Sequence, residues 1–146
     1  GNFALAGSIF LDSRNSSTFA DVFSLLYGHH MENSQMFGDL DKYRSVDFLQ
    51  QTNTGTLLVP GGRYALRVFA CIVVSASDDL IYQPLQWQAD NVPAMLDRLQ
   101  ADALCVDQAA MDDLRTAQNL KVLCMSTCSS DYTDARTVVL AAMQLE

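Results

Sequence analysis

Apolar and polar residues along this chain fall into short runs, most of them ended by Gly, Pro, Ser, Asn or Asp. That pattern predicts strands joined by turns. Residues 8–12 (Ser-Ile-Phe-Leu-Asp) read as a short strand and 13–17 as a turn. A second strand over 22–27 breaks at Gly28. Residues 36–43 give one or two short helices with Asp39 as N-cap, and Asp47 caps a further turn that runs to Gln51. Residues 52–55 read as a loop. Two strands, 56–59 and 64–69, flank a tight turn at Pro60-Gly61-Gly62-Arg63. The second stays apolar through Cys71, Ile72, Val73 and Val74. A run of that kind is buried on both faces or passes from one face to the other.

Helical spacing is clearest over 86–99, where Val92, Met95, Leu96 and Leu99 form an i, i+3, i+4, i+7 stripe. Asn91 is its N-cap and Pro93 lies in its first turn. Residues 107–117 read as a short helix or a loop, with Asp107, Asp112 and Asp113 on a solvated face. The last two apolar runs, 120–123 and 137–140, read as strands. Strands outnumber helices, which points to a small barrel or sandwich with a few peripheral helices. No repeat, low-complexity stretch or interdomain linker interrupts the pattern.

Length and charge narrow the classes. A chain of 146 residues, 49% hydrophobic, suits one domain that buries its own core without disulfides or a metal. The net charge of −8, from 9 basic and 17 acidic residues, argues against nucleic acid and against charge-driven adhesion to an anionic membrane. The longest apolar run, 68–77, is too short to span a bilayer, and there is no signal-peptide pattern. The chain opens at Gly1 without Met, so it is expected to be a piece of a longer protein whose targeting segment, if any, lies elsewhere.

The candidate chemistry gathers at the edges of the apolar runs. The four cysteines, Cys71, Cys105, Cys124 and Cys128, form no CxxC pair. In apolar surroundings Cys71, Cys105 and Cys124 read as small buried hydrophobes. On a strand Cys124 and Cys128 would stand roughly 13 Å apart, too far for a disulfide. Cys128 differs, because hydroxyl residues flank it on both sides, and Arg136 opens the next strand eight positions later. If the strands leading into Cys128 and out from Arg136 are neighbours, thiol and guanidinium share one rim of the sheet. His29 and His30 are the two histidines, just after Gly28. A thiolate is the nucleophile and an imidazolium or guanidinium raises its population. Arg136 cannot act as a base, but offers a fixed fork of donors to an oxyanion. These are the parts of a cysteine acyl-transfer site, though as bare residue types they occur in most chains. A zinc site is disfavoured, because adjacent strand histidines face opposite ways and no other ligands stand at zinc spacing. A papain-like protease is disfavoured because there the cysteine precedes the histidine. Without CxxC a redox role is also disfavoured. Asn15, taken alone, reads as a turn residue bonding its own backbone.

The stretches Gly7-Ser8-Ile9-Phe10-Leu11-Asp12-Ser13-Arg14-Asn15, Leu26-Tyr27-Gly28-His29-His30-Met31 and Met36-Phe37-Gly38-Asp39-Leu40-Asp41-Lys42-Tyr43 resemble class B sortases. So does Met125-Ser126-Thr127-Cys128, followed by Arg136 and Thr137-Val138-Val139. Four motifs in family order over nearly the whole chain make the resemblance specific. It implies a mainly β fold, a closed sortase-type β-barrel with a few short peripheral helices. It implies one catalytic domain over 1–146, lacking the N-terminal helices, first strand and membrane anchor of the family. It implies a transpeptidase on the extracellular face of the cell membrane of a Gram-positive bacterium, anchored there in the full-length protein. Such an enzyme cleaves a C-terminal sorting motif after Thr and holds a thioester on Cys128. An amine then resolves it, from the cell-wall cross-bridge of a peptidoglycan precursor or from a pilin lysine. His29 would be the general acid/base and Arg136 the donor on the oxyanion side, with His30 structural or groove-lining. Asn15 and Ser126 match groove positions, and Leu80 and Ile81 fall in the segment that covers the sorting peptide. No cofactor or metal is implied. The other readings are a sortase-like barrel that binds peptide without turnover and a structural β-domain. Met125 stands where the family usually has Leu, a tolerable core exchange.

Overall fold

The computed structural model describes residues 2–3, 9–28, 37–119, 121–127 and 134–146, with backbone alone for 2–3, 37–39 and 41. Its strands are β1 Asn2–Phe3, β2 Ile9–Leu11, β3 Phe23–Gly28, β4 Thr54–Val59, β5 Gly62–Ser75, β6 Cys105–Val106, β7 Val122–Thr127 and β8 Ala135–Leu145. They form one sheet in the order β1-β4-β5-β8-β7-β3-β2, with β6 beside the second half of β5. Three α-helices, α1 Val46–Gln51, α2 Val92–Asp102 and α3 Gln108–Thr116, and two 3-10 turns, Phe37–Arg44 and Pro84–Gln86, complete it. The fold is mainly β with short helices, as expected. Closure of the barrel is not completed by hydrogen bonding among the described residues. The path ends at β1 and β2, which are only 2 and 3 residues long.

Each face of the sheet carries its own core. On one face α2 and α3 set Leu96, Leu99 and Met111 against Phe23, Phe69, Ile72, Cys124, Val138 and Leu140. On the other, Leu40, Tyr43 and Leu49 pack on Leu57, Val68, Leu123, Met125 and Val139. The central strands β5, β7 and β8 are therefore covered on both sides, which is why they read as continuous apolar runs rather than alternations. A register shift between Val68 and Ala70 lets β5 serve both cores. Before it the even residues Tyr64, Leu66 and Val68 enter the second core; after it Ala70, Ile72 and Val74 enter the first. One inserted residue, Phe69, reverses the parity.

Several local expectations are met. The turn between β4 and β5 places Pro60 and Gly61 between the partners Val59 and Gly62, with Gly61 at φ +84°, as a type II turn requires. In α2 the buried residues are Val92, Met95, Leu96 and Leu99, the stripe read from the sequence. Others are corrected. The helix expected over 86–99 begins only at Val92, because Pro84–Gln86 is a separate 3-10 turn. Asn91 precedes it, but its side chain bonds Gln88 N and Gln86 O instead of capping the helix. Ser45, not Asp47, caps α1, its hydroxyl accepting from Phe48 N. Part of the expected loop 52–55 is strand, since β4 starts at Thr54 and pairs with Arg67. Asp107 caps α3 by accepting from Ala110 N.

Candidate active site

β3 and β7 are adjacent and parallel, in register from Phe23↔Val122 to Gly28↔Thr127. β8 runs antiparallel along the other edge of β7, with Ser126 opposite Val138. The ends of β3 and β7 and the start of β8 thus lie side by side. Thr137 N donates to Thr127 Oγ1 at 3.3 Å, tying the exit of β7 to the entry of β8. Arg136 lies near this junction, opposite Val74 of β5, partly buried, with Nη1 donating to Ala135 O at 3.1 Å. In sequence, His29 and Cys128 come immediately after Gly28 and Thr127. Both fall outside the described residues, as does His30.

A polar network braces this rim. Asp12 receives Arg14 through Nε and Nη2 at 2.9 and 3.0 Å, and accepts the Tyr27 hydroxyl at 2.9 Å. The Arg14 guanidinium holds the Asp12 carboxyl down to about 2, against the opposing effect of burial. Arg14 Nη2 also donates to the carbonyl of Tyr82 at 2.9 Å, and Nη1 to Gln83 Oε1 at 3.2 Å. The Tyr82 hydroxyl meets Ser126 Oγ at 2.7 Å. Tyr27 and Tyr82 lie with rings 9° from parallel and centroids 6.3 Å apart, and Phe10 stacks on Tyr27 at 5.3 Å. Burial pushes the Tyr82 phenol up to about 12, so it stays protonated at working pH.

The residues matched to the substrate groove are all buried. Asn15 is 9% exposed and directs its carboxamide at β3, with Oδ1 accepting from Leu25 N at 2.9 Å and Nδ2 donating to Phe23 O at 2.8 Å. These are not bonds to its own turn, since they reach up to ten residues along the chain. Leu80 and Ile81 belong to the first core together with Trp87, whose Nε1 donates to Leu80 O at 2.9 Å. Ser126 is 0% exposed and donates its hydroxyl to Thr127 O at 3.0 Å. Sequence reasoning overlooked Asp12, Arg14, Tyr27 and Tyr82. The one local signal was the Asp-Ser-Arg spacing of a turn that pairs with itself.

Of the other cysteines, burial raises the thiols of Cys105 and Cys124, the latter fully enclosed, so neither is disposed to ionise. Cys71 is buried as well. Among the described residues no group of three His, Cys, Asp or Glu could hold a metal, and no helix is long and apolar enough to cross a membrane. A groove of about 900 Å³ lies at the opposite ends of these strands, lined by Tyr64, Arg67, Asp113, Lys121 and Leu145, remote from the junction of β3, β7 and β8.

No family model matches the chain. A search of known proteins finds Sortase B of Listeria monocytogenes, 31% identical over 140 residues, which cover 93% of this chain. The chain spans 54% of the length of that protein and of Sortase B from Staphylococcus aureus. Among solved structures, sortase B from the type II pilus of Streptococcus pneumoniae superposes with a TM-score of 0.75 at 33% identity, over 93% of this chain and 75% of that one. A Streptococcus pyogenes class B sortase involved in pilus biogenesis gives 0.78 at 28% identity, over 99% and 75%. The motif order, the sheet and these matches agree, and the chain belongs to the class B sortase family.

Proposed function

We propose that the chain is the catalytic part of a cysteine transpeptidase, with Cys128 as nucleophile, His29 as general acid/base and Arg136 as the donor to the developing oxyanion. The observation that supports it most is the meeting of three strand ends. β3 leads in sequence directly to His29, β7 directly to Cys128, and β8 begins beside Arg136. The Cys128 thiolate adds to the carbonyl carbon of the sorting-motif threonine. The guanidinium of Arg136 stabilises the tetrahedral oxyanion. The carbon–nitrogen bond breaks, His29 protonates the departing amine, and a thioester remains on Cys128. An incoming amine loses its proton to His29, attacks the thioester and restores the thiol.

The substrates of this reading are surface proteins bearing a sorting motif. The amine is that of a cell-wall cross-bridge on a peptidoglycan precursor. A pilin lysine is the second candidate, favoured by the pilus systems named for two of the solved relatives. The enzyme would work at the outer surface of a Gram-positive cell, anchored in the membrane through a part of the protein beyond this chain. Asn15, Leu80, Ile81 and Ser126 shape the groove wall from within. Incubation with a panel of sorting-motif peptides, without amine, tests the reading. Intact-mass spectrometry should show a gain equal to the N-terminal peptide fragment, mapped to Cys128 and lost in Cys128→Ala. Turnover retained in Cys128→Ala would end the proposal.

A further inference from the structure

Tyr82 is a residue to which neither the motifs nor the proposed chemistry gives a role. It lies on the segment after β5, two positions before the 3-10 turn Pro84–Gln86. That segment is fixed from below by Leu80 and Ile81 in the core and by Ile81 N donating to Asp78 Oδ1 at 3.0 Å. It is fixed from the side by Arg14, whose guanidinium holds the Tyr82 carbonyl while Asp12 holds the guanidinium. The phenol so anchored reaches Ser126 Oγ at 2.7 Å. Ser126 has one hydroxyl proton, and it goes to Thr127 O. Tyr82 must therefore donate, its phenol being neutral, and Ser126 Oγ accepts.

The contacts close into a ring. Ser126 and Tyr27 are register partners on β7 and β3, Tyr27 stacks along Tyr82 and bonds Asp12, and Asp12 returns through Arg14 to Tyr82. Tyr27 stands two residues before His29 and Ser126 two residues before Cys128. We infer that the Tyr82–Ser126 hydrogen bond, braced by Arg14 and Asp12, makes Tyr82 a positioning residue that fixes the exit of β7 against the exit of β3. It acts through Ser126 and does not itself touch substrate. This rests on the reading of Cys128 and His29 as the reacting pair. A displacement of about 1 Å in such a pair lowers rate by up to about 100-fold with little effect on ground-state binding.

Tyr82→Phe removes the hydroxyl and keeps the ring; Ser126→Ala removes the acceptor. Both variants and the double variant are compared with wild type in peptide hydrolysis. Each single variant should lose about 5- to 20-fold in kcat with KM within about twofold. The double variant should be no slower than the slower single, because the two share one interaction. The melting temperature of Tyr82→Phe should stay within about 3 °C of wild type, since one partly buried bond is at stake, whereas Ser126→Ala also gives up the bond to Thr127 O and should fall further. Unchanged kcat, losses that multiply, or losses in KM alone overturn the inference. A second readout needs no turnover: alkylation of Cys128 by iodoacetamide, followed by intact mass, should change at least threefold in both single variants. If wild type forms no acyl adduct with any peptide but the alkylation rates change together, the transpeptidase reading falls and the positioning role stands. If adducts form but both readouts ignore Tyr82→Phe, the positioning role falls alone.

Discussion

Asn15→Ala should unfold this protein more readily while barely touching substrate affinity. At residues 23 and 25 the edge of β3 away from β7 has no neighbouring strand among the described residues, because β2 ends where Leu11 pairs with Leu26. Asn15 fills the gap with its carboxamide, accepting from Leu25 N at 2.9 Å and donating to Phe23 O at 2.8 Å, while Asp12 N donates to Leu25 O at 2.8 Å. Phe23 and Leu25 are both 0% exposed. Truncation orphans one buried donor and one buried acceptor, at about 1–3 kcal/mol each. Asn15 lies close enough to solvent for water to recover part of that, so a net loss of about 3 kcal/mol is expected. For a domain of this size that corresponds to a fall of roughly 6–12 °C in Tm. Denaturant titration followed by circular dichroism measures it, with the midpoint shifted and the slope unchanged. Asn15→Asp should do no better. It keeps an acceptor for Leu25 N, but removes the donor to Phe23 O and sets a carboxylate beside Asp21, which now accepts from Nδ2 at 3.0 Å. A loss below about 1 kcal/mol, together with a raised KM for sorting peptides, would refute the bracing argument and return Asn15 to the groove surface.

Gly61→Ala should lower stability by about 1 kcal/mol, since φ is +84° and a Cβ would meet nothing within 4 Å; Gly61→Asn, more tolerant of that φ, should lose less, and equal stability of all three in a urea melt would show that the turn relaxes. Asp12 titrates below its unfolded value of 3.8, near 2. Its contribution to stability is therefore complete above about pH 4 and disappears as pH falls through about 2. Asp12→Asn should flatten the acid limb of Tm against pH over that window, and an unchanged limb would show that Asp12 is not the group responsible. Arg136→Lys should not restore the activity lost in Arg136→Ala, because an ammonium cannot present two fixed donors. Wild-type kcat/KM in the lysine variant would leave Arg136 only its charge.

How much of this was legible depended on how far apart in sequence the cooperating residues lie. The stripe Val92, Met95, Leu96, Leu99 was readable because a helix repeats locally, and all four are buried. The neighbouring strands at the C-terminus were readable because their connection is short, and β7 and β8 do pair antiparallel. The parity reversal in β5 was not, because an apolar residue at every position hides which face each one serves. Asp47 has the side chain of a cap but occupies the first turn, and the cap is Ser45 two residues earlier. Taken alone, Asn15 reads as a local turn residue, because nothing near it in sequence shows that β2 leaves the first half of β3 uncovered. The family motifs marked the strand ends but not the brace around them, because Arg14, Tyr27, Tyr82 and Ser126 meet only in three dimensions.

Under the proposed function, the same brace holds the strand ends that lead in sequence to His29 and Cys128. A strand terminus frays unless something beyond its own ladder holds it. β7 is gripped on both faces by the two cores up to Cys124 and Met125, and its last residues are polar. At Ser126 the apolar grip gives way to Tyr82 on one side, and at Thr127 to the backbone of Thr137 on the other. Thr137 in turn accepts from Arg44 Nη2 at 2.9 Å, which brings in the 3-10 turn of residues 37–44. Successive side chains of a strand point to opposite faces, so a hydrogen bond at Ser126 and another at Thr127 fix the strand in both directions across the sheet. Were Cys128 the nucleophile, as proposed, it would follow directly on two restrained residues, which is what a reaction sensitive to about an ångström demands of its scaffold.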